Sequence, residues 1–209
     1  MSKIPVFDIG DTLLPSKKLQ QELINEKLEK NGYHDVDLPI NEVRIYTPSE
    51  IRKFFQDQNI ELDANPEEIA EEYMERAEKY MEENGVFELL RDCNEEFGEI
   101  GFISDNSLEG KEFYERIFDK YGVNYSGVIV SEEIGSVKPD KGIFQAFLDS
   151  RREESSEFVY IGNNVKRDSA AEKVGMKFIW TNQYHVFGQE YDGSRIEELT
   201  LKNIREVVK

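Results

Sequence analysis

Nine positions in four motifs carry groups able to do chemistry, and each motif follows a short apolar run. Asp8, Gly10 and Thr12 lie in "FDIGDTL"; Ser104, Asp105 and Asn106 in "ISDNS"; Lys138 in "SVKPD"; Asn163 and Asp168 in "GNNVKRD". A carboxylate can attack or ligate, a hydroxyl can donate, and a lysine can neutralise an anion. An amide–carboxylate pair offers hard oxygen ligands of the kind magnesium takes. Taken singly, each has a duller explanation. An aspartate at a strand end is a turn or cap residue, "SDNS" starts a helix, "KPD" enters one, and "GNN" is turn chemistry. Their order along the chain favours chemistry, because a parallel sheet gathers ligands beyond the carboxyl ends of its strands.

The elements that must position these groups read as such a sheet. The apolar runs at 4–10, 99–105, 127–132, 157–163 and 177–182 are rich in Val, Ile, Phe and Tyr and end in Gly, Asp, Asn or Ser. Helical patterns at 109–121, 140–150 and 165–174, and a last one near 195–207, separate or follow the later runs. Between Leu14 and Gly85 no comparable strand occurs, only helix signals. One helix spans roughly 16–31. "TPSE" supplies an N-cap, a proline and a capping-box glutamate, and "NPEE" opens a helix with a stripe of Ile69, Tyr73, Ala77, Tyr80 and Met81.

The four motifs together resemble the haloacid dehalogenase superfamily of hydrolases, over essentially the whole chain. The resemblance implies an α/β fold, a Rossmann-like parallel sheet flanked by helices, with a mostly helical cap inserted after the first strand. It places the core at 1–13 and 86–209 and the cap at 14–85. It further implies Asp8 as a nucleophile that forms an aspartyl-phosphate, and Ser104 and Lys138 as stabilisers of the transferring phosphoryl group. Ser104, Asp105, Asn106 and Lys138 become substrate-binding positions, and Thr12 a catalytic-loop position that holds rather than reacts. Mg²⁺ would be held by Asp8, the Gly10 carbonyl, Asn163 and Asp168. The partner would be a small-molecule phosphate ester and the activity that of a magnesium-dependent phosphatase.

Two departures from the family pattern stand out. Gly10 occupies the position of the second aspartate, which in the family's phosphatases protonates the leaving group and then activates water. Asp11, a cap side chain and the substrate's own leaving group are the candidate substitutes; in a regular strand Asp11 would face away from Asp8, but the turn after this strand is irregular in the family. Asn163 stands where the family usually has a metal-binding aspartate, removing one negative charge. Both changes make the site less acidic, which opens a metal-independent reading, attack at carbon as in the haloacid dehalogenases proper. That reading needs cap residues that bind a carboxylate, for which Arg44 and Arg52 are candidates. A non-catalytic binding protein on a degenerate scaffold is the third reading.

Composition excludes several other classes. The chain of 209 residues carries a net charge of −18, which argues against nucleic acid. Residues 61–99 alone hold 15 acidic and three basic residues, a solvated helix face by expectation. No run approaches the roughly 20 apolar residues of a membrane helix. The N-terminus enters a core strand too early for a signal peptide, so the cytoplasm is the expected location. Cys93 has no partner for a disulfide and reads as a buried thiol. His34 and His185 are the two histidines, too far apart in sequence to suggest a metal cluster or a serine–histidine triad. Neither the Gly-x-x-x-x-Gly-Lys loop nor Gly-x-Gly-x-x-Gly is present.

Overall fold

The computed structural model describes residues 3–34, 36, 47–61 and 63–208. Strands β1 (Ile4–Phe7), β2 (Ile100–Ser104), β3 (Tyr125–Val130), β4 (Phe158–Gly162), β5 (Lys177–Thr181) and β6 (Arg195–Ile196) form one parallel sheet in the order β3-β2-β1-β4-β5-β6. Alternation along the central strands divides the core between two faces. Phe7, Phe102, Ile161 and Ile179 pack on one side. Val6, Ile103, Tyr160 and Phe178 pack on the other. Both faces are covered, so β2 and β4 are buried at every position, and their sequences read as unbroken apolar runs.

β1 lies between β2 and β4, and the chain winds outward in opposite directions from it. The loops after β1 and β4 therefore diverge and leave a crevice at the carboxyl edge of the sheet. That crevice is where the sequence motifs converge.

After β1 come helices α1 (Ser16–Lys30), α2 (Pro48–Asp57) and α3 (Pro66–Glu83). They share a core of their own around Leu23, Leu28, Ile51, Phe54, Ile69 and Tyr73. Arg76 on α3 ties them further, reaching Glu26 of α1 at 2.6 Å and Glu72 at 2.6 Å. The Thr47 capping box forms as its sequence requires, and Asn65 accepts from the Glu67 N–H. The stripe on α3 is split between two cores. Ile69 and Tyr73 face α1 and α2, whereas Ala77 and Met81 pack with the sheet. An 18-residue helix thus spans both units before Gly85, in a left-handed turn, starts α4 (Val86–Phe97).

The remaining helices are α5 (Leu108–Lys120), α6 (Ser131–Ile134), α7 (Lys141–Asp149), α8 (Val165–Asp168) and α9 (Leu201–Val208). Two expectations are corrected. The pattern at 165–174 is one α-helical turn followed by a 3-10 segment, Ser169–Val174. The last pattern, near 195–207, begins with β6, and its helix starts only at Leu201. In that stretch "RIEEL" satisfies either period, and pairing with β5 decides the outcome. No helix among the described residues is long and apolar enough to cross a membrane.

Cys93 is fully buried on α4, and burial pushes its thiol up to about 12, with Asp92 and Glu96 adding. Only the thiolate is nucleophilic. Iodoacetamide at pH 8 is therefore expected to leave native protein unlabelled and to alkylate Cys93 in denaturant; labelling of the native form would refute its burial.

Candidate active site

Asp8 is carried past the end of β1, where its backbone N–H donates to the Ile161 carbonyl of β4 at 2.8 Å. Its side chain, 9% exposed, lines a cavity of about 250 Å³ at the crevice. Lys138 enters from the α6–α7 connection. Its ammonium lies 3.0 Å from Asp8 Oδ1 and 2.8 Å from Asp168 Oδ1, and it donates to the Tyr160 hydroxyl at 3.0 Å. Tyr160 in turn donates to the Ile103 carbonyl at 3.0 Å. All three charged side chains are nearly inaccessible.

Low dielectric makes this triad electrostatically consequential. Burial raises the Asp8 carboxyl to about 7, against the pull of Lys138, and Asp168 adds repulsion. Burial alone would lower the Lys138 pKa, but Asp168 and then Asp8 outweigh it and hold the ammonium charged. A permanently cationic lysine therefore sits between two carboxylates, facing the cavity.

The other loops complete the wall. Ser104, at the tip of β2, lines the cavity and is 4% exposed. Asp105 has both oxygens engaged, accepting the Lys138 backbone N–H at 2.9 Å and pairing with Arg167. It anchors the lysine loop to the fourth-strand loop. Asn106 accepts the Ser107 N–H at 2.8 Å, and its carbonyl accepts the Glu132 N–H, tying down the start of α5. Asp168 accepts the Asn164 N–H at 2.8 Å and sits beneath β4, where a side chain at Gly162 would collide with it at 2.5 Å. Asn163 lines the cavity, and its backbone carbonyl accepts the Trp180 indole N–H at 2.9 Å.

The inverted Gly10–Asp11 order has a local explanation. Residue 11 adopts φ 55°, a left-handed conformation that favours glycine and that aspartate tolerates better than most residues. Its carboxylate accepts the Lys17 N–H at 3.0 Å, satisfying one of the orphan donors of α1. The parity of a regular strand does not extend to Asp11. The chain has left the strand at Phe7, and both carboxylates line the same cavity. Burial raises the Asp11 pKa, opposed by hydrogen bonds from the Lys17 and Ser16 backbone.

Eight of the nine positions read from sequence therefore meet at one cavity: Asp8, Gly10, Ser104, Asp105, Asn106, Lys138, Asn163 and Asp168. Thr12 does not reach it. Thr12 is fully buried under the loop, and its carbonyl accepts from Gln183 at 2.7 Å. Arg52 lies on the surface of α2, paired with Glu67 at 2.9 Å and remote from the cavity wall. Arg44 falls outside the described residues, and His34 is exposed. Tyr160 escaped the sequence reading, although a tyrosine within a fully buried strand needs a partner for its hydroxyl. Gln189 left no signal. It accepts the Val165 N–H at 2.7 Å and donates to Asn164 at 3.1 Å from a distant loop.

The family model described as haloacid dehalogenase-like hydrolase matches residues 5–181. The chain belongs to this family. It is a hydrolase of that superfamily and shares the fold with solved structures of low identity. The magnesium-bound HAD-hydrolase YfnB of Bacillus subtilis superposes with a TM-score of 0.66 at 14% identity, covering 99% of this chain and 98% of that one. CbbY of Rhodobacter sphaeroides, in complex with phosphate, gives 0.65 at 16%, covering 97% and 99%. A 2-haloacid dehalogenase of Pseudomonas syringae pv. Tomato DC3000 gives 0.60 at 18%, covering 99% and 98%. Comparison with curated proteins by sequence found no match.

Proposed function

We propose that this hydrolase cleaves the phosphate monoester of a small metabolite, with Asp8 as nucleophile. The observation that carries the reading is the buried Asp8–Lys138–Asp168 triad, opening onto a cavity that Ser104 also lines. In the first step an Asp8 oxygen attacks phosphorus, the bond to the ester oxygen breaks, and the alkoxide departs with that electron pair and takes a proton from water. Lys138 and the Ser104 hydroxyl stabilise the charge spread over the phosphoryl oxygens, and they are positioned before the reaction begins. In the second step water attacks the phosphorus of the aspartyl-phosphate and returns the Asp8 carboxylate.

The donor set suits a hard divalent cation in kind. Asp8, Asp168, the Asn163 amide and the Gly10 carbonyl all supply oxygen, from groups at one cavity. Magnesium held there would supply further positive charge to the transferring phosphoryl group. Two carboxylates rather than three, both already in contact with Lys138, set its affinity low. The similar structures bound to magnesium and to phosphate support this assignment by fold alone.

Residues 14–85 act as a cap in this reading, with α1–α3 moving against the core to exclude water and macromolecules and to select the substrate. The partner is a small molecule rather than nucleic acid, in keeping with the charge of −18. The cytoplasm remains the proposed location. One observation favours attack at carbon instead: Lys138 contacts both carboxylates and so offsets part of the charge that a metal would otherwise have to offset. Release of nitrophenol from para-nitrophenyl phosphate, with magnesium and with chelator, separates the two. Metal-stimulated release supports the phosphatase, and turnover of 2-chloropropionate in chelator, with no ester hydrolysis, would replace it.

Gly10 can neither protonate the leaving group nor activate water, and general acid–base help contributes about 10²–10⁴-fold. Gly10→Asp is therefore expected to raise kcat on an alkyl phosphate by about 10²-fold. An unchanged kcat would mean that another group already moves the proton.

A further inference from the structure

Three cations line the cavity, and two are committed. Lys138 serves Asp8 and Asp168, and Arg167 serves Asp105. Among the described residues no carboxylate lies within ion-pair distance of the third, Lys17. Its ammonium rests 4.0 Å from the centre of the Phe187 ring, a cation–π contact that fixes the charge at the cavity wall.

Apart from Phe187 and the charge of Asp11, the surroundings disfavour a cation there. Lys17 occupies the first turn of α1, where the helix macrodipole opposes positive charge. Burial lowers its pKa, Asp11 opposes that shift, and nearby Arg167 adds repulsion. Three of the backbone donors at this helix end are already used, Ser16 N–H by the Leu14 carbonyl, Lys17 N–H by Asp11 and Leu19 N–H by the Pro15 carbonyl. Recognition of an anion would therefore fall mainly on side chains. Beside Lys17, Ser16 also lines the cavity. It is 1% exposed, and its hydroxyl, close to Tyr73, lacks a well-formed hydrogen bond. An anionic oxygen in this corner would offset the charge of Lys17 and give the Ser16 hydroxyl an acceptor.

We propose that Lys17, with Ser16 beside it, binds a second anionic group of the substrate, a carboxylate or a second phosphate, so that the preferred esters are short phosphomonoesters with a charged far end. The proposal rests on the phosphomonoester reading above. A cavity of about 250 Å³ requires a short skeleton, being smaller than the roughly 300–1,000 Å³ of drug-sized pockets. Lys17 belongs to α1 and not to a strand-tip loop, so it reports the far end of the ligand and not the transferring phosphorus.

The test compares kcat/KM on matched esters: 2-phosphoglycolate against 2-hydroxyethyl phosphate, 3-phosphoglycerate against glycerol 3-phosphate, and 1,3-propanediol bisphosphate against 3-hydroxypropyl phosphate. The native enzyme is expected to prefer the charged member of at least one pair by on the order of 10–100-fold. Lys17→Met keeps the apolar stem over Phe187 and is expected to collapse that ratio to near one, chiefly through KM, while Lys17→Arg retains most of it. Which pair responds decides between carboxylate and phosphate. Equal rates on both members of every pair, or equal losses on both in Lys17→Met, would overturn the inference and leave the phosphatase reading standing. No hydrolysis of any of the six esters by native enzyme would overturn that reading and the inference together.

Discussion

Asp8→Asn is expected to lower kcat on any accepted ester by about 10⁴-fold or more, the scale seen when a nucleophile is removed from an otherwise intact site. Asparagine preserves the shape and the contact with the Ile9 N–H, which donates to Asp8 Oδ1 at 2.9 Å, but its amide cannot form the covalent intermediate. Lys138 still has Asp168 at 2.8 Å, so no buried charge is stranded. The variant also loses a carboxylate whose ionisation burial opposes, the physical cause that lifts Asp8 to about 7. Its melting temperature at pH 8 is accordingly expected to match or exceed that of the native protein. Loss of activity accompanied by unfolding would mean that Asp8 is structural. Activity within tenfold of native would remove it from the chemistry.

Lys138→Met has the opposite balance. It leaves Asp8 and Asp168 facing each other in the interior, 9% and 1% exposed, with no cation between them. Breaking a buried pair by removing one partner costs about 3–5 kcal/mol. For a chain of this size that corresponds to a fall in melting temperature of roughly 10 °C. The Tyr160 hydroxyl also loses the ammonium that donates to it. Since the destabilisation comes from uncompensated carboxylates, adding Asp8→Asn to Lys138→Met should restore part of the lost stability. A double variant less stable than Lys138→Met would show that the lysine acts through packing instead. On catalysis, loss of the preorganised charge is expected to reduce kcat by about 10²–10³-fold in the fraction that remains folded.

The difference between these two variants explains what was legible in the sequence. The strands could be read because both faces of a parallel sheet are buried, which gives unbroken apolar runs such as "FVYIG", and because each run ends in a group of different chemistry. Helix starts at Pro48 and Pro66 were equally plain, since capping is encoded within four residues. What sequence left hidden depends on distant contacts. The partner of Lys138 at residue 160 comes from β4, 22 residues further along the chain, and Gln189 reaches back to the Asn164 loop from beyond β5. Asp11 is the intermediate case. A regular strand would turn it away from Asp8, but the left-handed turn at residue 11 brings it to the same cavity, and the end of a strand is where parity ceases to apply. Thr12 carries a catalytic motif position yet lies beneath the loop, holding it through its carbonyl.

The inverted Gly10–Asp11 pair makes the covalent intermediate the most direct object to measure. With no carboxylate at residue 10 to activate water, breakdown of the aspartyl-phosphate should be slower than its formation from an activated ester, whose leaving group needs no proton. Native enzyme mixed with para-nitrophenyl phosphate and magnesium should release a burst of nitrophenol approaching one equivalent, and then turn over more slowly. Acid quenching during the burst, followed by peptide mass spectrometry, should find the phosphoryl group on Asp8. Hydrolysis without a burst, with Asp8 unmodified at every quench time and Asp8→Asn still active, would contradict the assignment of Asp8 as the nucleophile.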